Sequence, residues 1–389
     1  MKLDQGKDNA CIVGVGRSII SRDSGKTALD LVTDACTNAI RHAGLTRDDI
    51  DGIATNQMSG VNGYQINEAM RFPTVNWYGQ MEMPQVTAAW SVMEAAMAVE
   101  YGASDYCLVV MGLMKPKGAG SRRDPFAGSV GPPQVGGDAQ WVAPYGGNGF
   151  TFNHFMSRYM YEFNAPRETF GHIAITDRKH AMMNERAIVR TPLTMDDYLK
   201  ARWISEPFCL YDCDFPVDGY AAVVITKPDR ARSLPNKPVQ IVAASQNTGP
   251  RTDMFQWDDM TNMGSKYAAK KLWELVPGTT LKDIDVVMCY DGFSVITVMW
   301  IEAFGFCGVG EAKDFLKGDM MQLGGSGIPM NTHGGMLSEG RVHGMGYIAE
   351  ATDQLMGLSG ERQVANAKRA LIGQGGSVQN AAMLLQVMD

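Results

Sequence analysis

Hydrophobic positions in the first hundred residues switch between two periods. Residues 10–20 (ACIVGVGRSII) form an apolar run ending in glycines, the pattern of a buried strand. Residues 27–43 (TALDLVTDACTNAIRHA) instead set Leu29, Val32, Ala35, Cys36 and Ile40 at helical spacing, and Gly44 stops the helix. LTRDDIDGIAT then leads into a second strand, residues 86–101 predict another helix, and DYCLVV at 105–110 predicts a third strand. Strand, helix, strand, helix, strand is the pattern of a parallel sheet covered by helices.

From Lys115 to Gly149 the pattern breaks into loop-like sequence (KPKGAGSRRDPFAGSVGPPQVGG), and helices are expected from about 151 to 203. This excursion, about 113–203, ends where Tyr220–Thr226 (YAAVVIT) resumes as a strand. RSLPNKP at 232–238 reads as a linker, and PVQIVAA, GSKYAAKKLWELV and IDVVMCY repeat the strand–helix–strand series. LTRDDIDGIA at 45–54 echoes TTLKDIDVVM at 279–288, with Asp49-Ile50-Asp51 matching Asp283-Ile284-Asp285. The echo predicts a duplicated α/β architecture with halves 1–235 and 236–389.

Composition narrows the function. Thirty-five Lys+Arg against 42 Asp+Glu give a net charge of −7, with no visibly basic face, so nucleic acid is not an expected partner. No apolar run reaches the roughly 18 residues of a membrane span, and MKLDQGKDNA is too polar for a signal peptide. A soluble cytoplasmic protein is expected. Seven cysteines are too few for a disulfide scaffold, and the six histidines show no paired spacing, so no metal site is expected.

Three familiar motifs fail. GVGRSI at 14–19 lacks the third glycine of a dinucleotide fingerprint, and SGKT at 24–27 has Ile20 where a phosphate loop needs glycine. GGSGI at 324–328 lacks the last glycine of a nucleophile elbow.

The last hundred residues carry the chemistry. CYDGFSVITVMWIEAFGFCG at 289–308 puts Tyr290 and Asp291 at the end of a strand, the edge where open α/β sheets bind ligands. GGSGIPMNTHGGMLSEGRVHGMG at 324–346 predicts a glycine-rich, hairpin-like loop entering a helix, and ALIGQGGSVQNAAMLLQ at 370–386 predicts strand, turn, strand. Asp291 reads as structural, satisfying turn amides. Arg341 reads equally as a ligand-binding residue or one salt-bridged to a carboxylate such as Glu339, and His333 and His343 as functional or packed. Asn331 is a candidate oxyanion donor, and Gly334, Gly335, Gly373, Gly375 and Gly376 either let backbone approach a pocket or make tight turns.

These segments, with PLTMDDYLKARWISEPFCLYDCDFPVDGYAAVVIT at 192–226, resemble the thiolase superfamily, and within it the sterol-carrier-protein type and its lipid-transfer-protein relatives. The resemblance covers essentially the whole chain. It implies a duplicated five-layer αβαβα sandwich, a dimer, and CoA thioesters as substrates with no tightly bound cofactor.

The departures from that family matter as much. By resemblance, the nucleophilic cysteine's place holds Gln85 and the second cysteine's place holds Leu371. The place of the GHP histidine holds Arg341, and that of the HDCF histidine holds Tyr290. Without a thiolate, ping-pong acyl transfer has no carrier. Gln85 remains a candidate for holding a thioester carbonyl, and Arg122 and Arg123 for meeting CoA phosphates.

The cysteine-free branch is similar to steroid side-chain-cleaving aldolases, which split a β-hydroxyacyl-CoA into a ketone and a shorter acyl-CoA. The resemblance implies two tyrosines as acid and base. One matches Tyr290, and the other falls at Arg341, a poor proton shuttle. The expected machinery is therefore Tyr290, assisted by Arg341 and by His333 or His343, the latter a base that titrates near neutrality. The resemblance also implies a small zinc-ribbon/OB-fold partner protein. A cysteine-independent acyltransferase or condensing enzyme, or a non-catalytic subunit of a thiolase-like complex, are the alternative readings.

Overall fold

The computed structural model describes residues 9–81, 88–115, 148–249, 259, 261, 264–376 and 378–388. The first half contains β1 (Cys11–Arg17), α1 (Ala28–His42), β2 (Gly52–Asn56), α2 (Gly63–Met70), β3 (Trp77–Met81), α3 (Ala88–Tyr101) and β4 (Tyr106–Leu113). Then follow α4 (Asn148–Phe163), α5 (Glu168–Met182) and β5 (Gly219–Thr226). The second half contains β6 (Val239–Asn247), α6 (Ser265–Leu275), β7 (Val286–Cys289), α7 (Ser294–Phe304), α8 (Met345–Met356), β8 (Arg369–Gln374) and β9 (Asn380–Val387). The sequence division at 235/236 falls in the turn region just before β6.

The strands run in the order β3-β2-β4-β5-β1-β6-β9-β8-β7. Two strand sets, β3-β2-β4-β5-β1 and β6-β9-β8-β7, meet through a short antiparallel pairing of Cys11 with Gln240 and Ile12 with Val239. Alternation along the strands sorts the side chains into three cores, because successive residues face opposite sides of a sheet. Tyr220, Ala222 and Val224 of β5 pack with α1 in an outer core. Ala221, Val223 and Ile225 face a central core built on α3 and α8. Val286 and Met288 of β7 enter that same central core, while Val287 and Cys289 face a second outer core with α6 and α7. Helices, sheet, helices, sheet, helices: the five-layer αβαβα sandwich is what these three cores enclose.

The internal echo is structural. Thr46 and Asp49 form a capping box ahead of β2, and Thr280 and Asp283 form the same box ahead of β7. Asp51 then accepts hydrogen bonds from the amides of Asp105 and Tyr106, and Asp285 from those of Lys368 and Arg369. In each half one aspartate thus ties the start of a strand to the strand beside it.

The sheet is mixed, where strand–helix alternation predicted it parallel. Among the described residues, the strand pairs that run parallel are only β2–β3, β2–β4 and β7–β8. Strand β9 returns from β8 through a tight turn, and β5 arrives after the long excursion, so neither is bound to the right-handed crossover that enforces parallel pairing. Helix α2 and edge strand β3 carried no periodic signal strong enough to be predicted. Beyond α5 the excursion holds only one short helix, Met195–Leu199. Gly14 and Gly16, read as a strand end, lie inside β1, where a Cβ would come within 2.4 Å of Ala39 O and 2.1 Å of Ala39 N. Their absent side chains let α1 lie directly on the strand, a packing use of glycine and not a phosphate cradle.

Candidate active site

Strand β7 pairs with β8 up to Cys289 and Gly373, and the Tyr290 amide extends the ladder to Gly373 O at 2.9 Å. Tyr290 therefore leaves the sheet at its carboxyl edge, immediately before the turn into α7. On the far side of β7 lies Asn331, at φ +49° and fully buried. Its Oδ1 accepts from Cys289 N at 2.9 Å and its Nδ2 donates to Cys289 O at 2.9 Å. Asn331 is thus a clamp on the strand end, with its amide spent on backbone and not turned to a reacting oxyanion.

The glycine-rich segment is a wide helical turn, Gly335–Glu339, rather than a hairpin. Asp291 holds it: Oδ1 accepts from Met336 N at 2.8 Å, Oδ2 from Leu337 N at 3.0 Å, and the Tyr347 hydroxyl donates to the same carboxylate. The turn lies so close that a Cβ on Gly335 would sit 2.0 Å from Asp291 Oδ2, and one on Gly334 2.6 Å from Ala181 Cβ. Gly375, at φ +94°, makes the β8–β9 turn, where a Cβ would meet Gln379 O at 2.0 Å. Packing and turn geometry, not pocket lining, account for these three glycines. Asp177 is buried against Asp291, and desolvation and that neighbouring carboxylate push its pKa well up.

Above this platform four side chains converge. Tyr290 Oη lies 3.4 Å from His343 Nδ1, with the rings edge to face at 81°. Arg341 Nε lies 3.4 Å from Asp214 Oδ2. Backbone bonds fix this loop: Asp214 N donates to Gly292 O at 3.2 Å, Phe215 N to Met336 O at 3.1 Å, and Arg341 N to Phe215 O at 2.9 Å. The pairing of Arg341 is with Asp214 and not with Glu339, which is occupied by Asn184 at 2.8 Å and Arg186 at 3.4 Å. His343 sits at φ +43°, a left-handed conformation that costs a non-glycine residue roughly 1–3 kcal/mol and persists only where packing enforces it.

Electrostatics divides the roles. Burial, outweighing the attraction of Arg341, raises the Tyr290 pKa above that of a free phenol, so it is a neutral proton donor. Burial and the neighbouring Arg341 push His343 down to about 3. A neutral imidazole that weak shares a hydrogen bond with the Tyr290 hydroxyl, its tautomer setting which of the two donates, and is not the near-neutral base expected from the sequence. Arg341 is held protonated: burial opposes its charge, and Asp214 and Tyr290 more than offset that. Burial, outweighing Arg341, raises Asp214 to about 6.

His333 stands one layer back. Its ring packs edge-on to Tyr347 at 5.1 Å, and Tyr347 in turn lies 6.0 Å from the ring of Tyr290. Tyr347 thus separates His333 from the phenol. Gln374 ties the layers together, accepting from Ala89 N at 3.0 Å and donating to Gly344 O at 2.8 Å. The first turn of α3 is in this way fastened beside His343. Gln85, Arg122 and Arg123 lie outside the described residues.

Leu371 is buried in the outer core of the second half. Burial pushes the thiols of Cys11, Cys209 and Cys307 up to about 12 and those of Cys107, Cys213 and Cys289 well up, the opposite of what an activated thiolate needs. Asp214, Tyr347 and Gln374 were not singled out from the sequence. Asp214 lies in LYDCDFPVDGY among five other acidic or aromatic residues, and nothing local separates it from them.

Fold and site together define a thiolase-fold protein with a phenol, an imidazole and an ion pair at the sheet's carboxyl edge. Residues 248–386 match the family model described as thiolase C-terminal domain-like. The chain is 33% identical over 387 residues to the 17-hydroxy-3-oxo-4-pregnene-20-carboxyl-CoA lyase of Mycobacterium tuberculosis, covering 97% of this chain and 98% of that one. It is 31% identical to the steroid side-chain-cleaving aldolase of Thermomonospora curvata, covering 97% of each. The solved Ltp2-ChsH2(DUF35) aldolase superposes with a TM-score of 0.89 at 30% identity, covering 99% of both chains. The chain belongs to the thiolase superfamily, among its thiolase-like aldolases.

Proposed function

We propose that this protein is a carbon–carbon lyase that cleaves a β-hydroxyacyl-CoA by a retro-aldol reaction into a ketone and a shorter acyl-CoA. The observation that carries the reading is Tyr290, a neutral phenol at the sheet edge whose hydroxyl faces His343 beside the Arg341–Asp214 pair. Breaking the Cα–Cβ bond leaves an electron pair on the thioester as an enolate. The fixed positive charge of Arg341 favours that enolate. Tyr290 then supplies the proton that Cα needs, with His343 Nδ1 aiming its hydroxyl.

No covalent carrier or redox group enters this reaction, so the substrate is the CoA thioester itself and no tightly bound cofactor is proposed. The names of the Mycobacterium and Thermomonospora relatives point to a steroid or comparable alicyclic acyl group. By analogy with the Ltp2-ChsH2(DUF35) aldolase we propose a ChsH2-type partner chain, with this chain itself dimeric. Among the described residues no helix is long and apolar enough to cross a membrane, and the cytoplasm is the proposed setting.

The test is ketone release from a steroidal β-hydroxyacyl-CoA, followed by mass spectrometry for the wild type and for Tyr290→Phe, each alone and with the co-purifying partner. The variant should keep its unfolding midpoint and lose about 10²–10⁴-fold in cleavage. Unchanged turnover would remove Tyr290 from the mechanism.

A further inference from the structure

Four aspartates surround the turn between β7 and α7: Asp177, Asp212, Asp214 and Asp291. Two have their oxygens committed, and a third is sealed from solvent. Asp212 accepts from Tyr198 Oη and Ser294 Oγ at 2.6 Å each and from Cys209 N at 2.8 Å. Asp291 accepts from Met336 N, Leu337 N and Tyr347. Among the described residues Asp177 accepts no hydrogen bond, but it is fully buried against Asp291, which with desolvation pushes its pKa well up. Asp214 differs from all three, because it is partly exposed while its carboxylate, among the described residues, receives no hydrogen bond, only the 3.4 Å ion pair with Arg341.

Burial ordinarily forces a carboxylate to spend its lone pairs on donors. Asp214 keeps them open with its side chain 11% exposed, on the same face as Arg341, whose side chain is 26% exposed. The loop that carries it is pinned on both sides, to Gly292 by its own amide and to Met336 and Arg341 through Phe215. A rigid, partly exposed and unsatisfied carboxylate beside a cation is the arrangement of an acceptor awaiting a donor from outside the chain.

We infer that Asp214 is the general base of the retro-aldol reaction, taking the proton of the substrate's β-hydroxyl. This rests on the function proposed above. In the step, the β-hydroxyl proton passes to an Asp214 oxygen and the O–H electron pair becomes the second bond of the new ketone. The Cα–Cβ bond breaks, its pair enters the thioester enolate, and Tyr290 protonates Cα. The proton on Asp214 and the vacancy on Tyr290 are made good by solvent, so atoms and charge balance with no added reactant. Asp214 suits this step, since its pKa near 6 leaves it ionised at neutral pH yet basic enough to accept a proton. The groups that face it are Arg341 from the segment before α8, Tyr290 and Asp291 from the turn after β7, and Cys213 of its own loop. His343, down at about 3, is too weak to serve instead.

The experiment uses the full chain with its co-purifying partner and two readouts on wild type, Asp214→Asn and Asp214→Glu. One is ketone release from a steroidal β-hydroxyacyl-CoA across pH 5–9, and the other is exchange of the α-hydrogen of a short acyl-CoA in D₂O. Wild-type cleavage should fall as pH drops through about 6. Asp214→Asn should lose at least about 100-fold in cleavage together with that acid limb, while keeping α-exchange, which needs Tyr290 and not the hydroxyl base. Asp214→Glu should recover part of the cleavage. If Asp214 only positions Arg341, cleavage and exchange fall together and the inference is wrong. An Asp214→Asn enzyme with the wild-type acid limb also overturns it. A wild type inactive in both assays sinks the lyase reading itself.

Discussion

Gln374 joins the two halves of the molecule at the site: its Oε1 accepts from Ala89 N at 3.0 Å and its Nε2 donates to Gly344 O at 2.8 Å. The bond to Ala89 reaches the first turn of α3 in the first half, and the bond to Gly344 holds the residue after His343 in the second. A Cβ on Gly344 would itself sit 3.2 Å from Ala88 N. The left-handed backbone at His343 and Gly344 is therefore enforced by α3, which explains how the strained His343 stays against Tyr290.

The buried imidazoles predict acid sensitivity with a definite sign. His343 is lowered to about 3 and His180 to about 4, both first by burial, from an ordinary value of 6.5. Each remains neutral in the fold but takes a proton in the unfolded chain once pH drops below about 6.5. Their contribution is whole above that value and is lost as pH falls towards the folded values, at up to about 1.4 kcal/mol per pH unit each. Asp214, raised to about 6, acts in the opposite sense, because the fold binds its proton before the unfolded chain does. Asp177, also pushed up by burial, opposes the imidazoles in the same way, so the test is a comparison: from pH 7 to 5 the urea midpoint of His343→Gln should fall less, or rise more, than that of the wild type. An equal slope in the variant would contradict the buried, neutral His343.

Gly335 carries a sharper stability prediction. Its φ of +58° and the 2.0 Å approach of a Cβ to Asp291 Oδ2 leave no room for a methyl group. Gly335→Ala should cost at least about 2 kcal/mol, through strain and through displacement of the turn that Asp291 holds. It should also weaken catalysis, since Met336 O accepts from Phe215 N beside Asp214. Thermal unfolding measures the first effect; a midpoint within a degree of wild type would contradict the packing described.

The fold was legible wherever local periodicity and global layering agree. Helix α1 has its apolar stripe at Leu31, Val32, Ala35, Cys36, Ala39 and Ile40, all buried, and the capping boxes at Thr46 and Thr280 lie in the echoed segments. Strand direction was not legible, because the return of β9 beside β8 depends on a turn and not on side-chain pattern. At the site, Tyr290, Asp291 and Arg341 could be placed from the strand-end segment and the family resemblance. Asn331 and the glycines 334, 335 and 375 stood out equally, but the signal there came from backbone geometry: each serves a clamp or a turn. Asp214 gave no signal because its distinction, an open carboxylate, exists only once 77 residues of intervening chain bring Gly292 beside it.

The central claim is that Tyr290 moves a proton at the α-carbon of a CoA thioester. Its most direct measurement is deuterium uptake from D₂O into the α-carbon of propionyl-CoA, read by mass spectrometry for wild type and Tyr290→Phe, each alone and with any co-purifying partner. Exchange by the wild type that disappears in the variant is the predicted result. Equal exchange in both proteins, or none from the wild type under either condition, would contradict it.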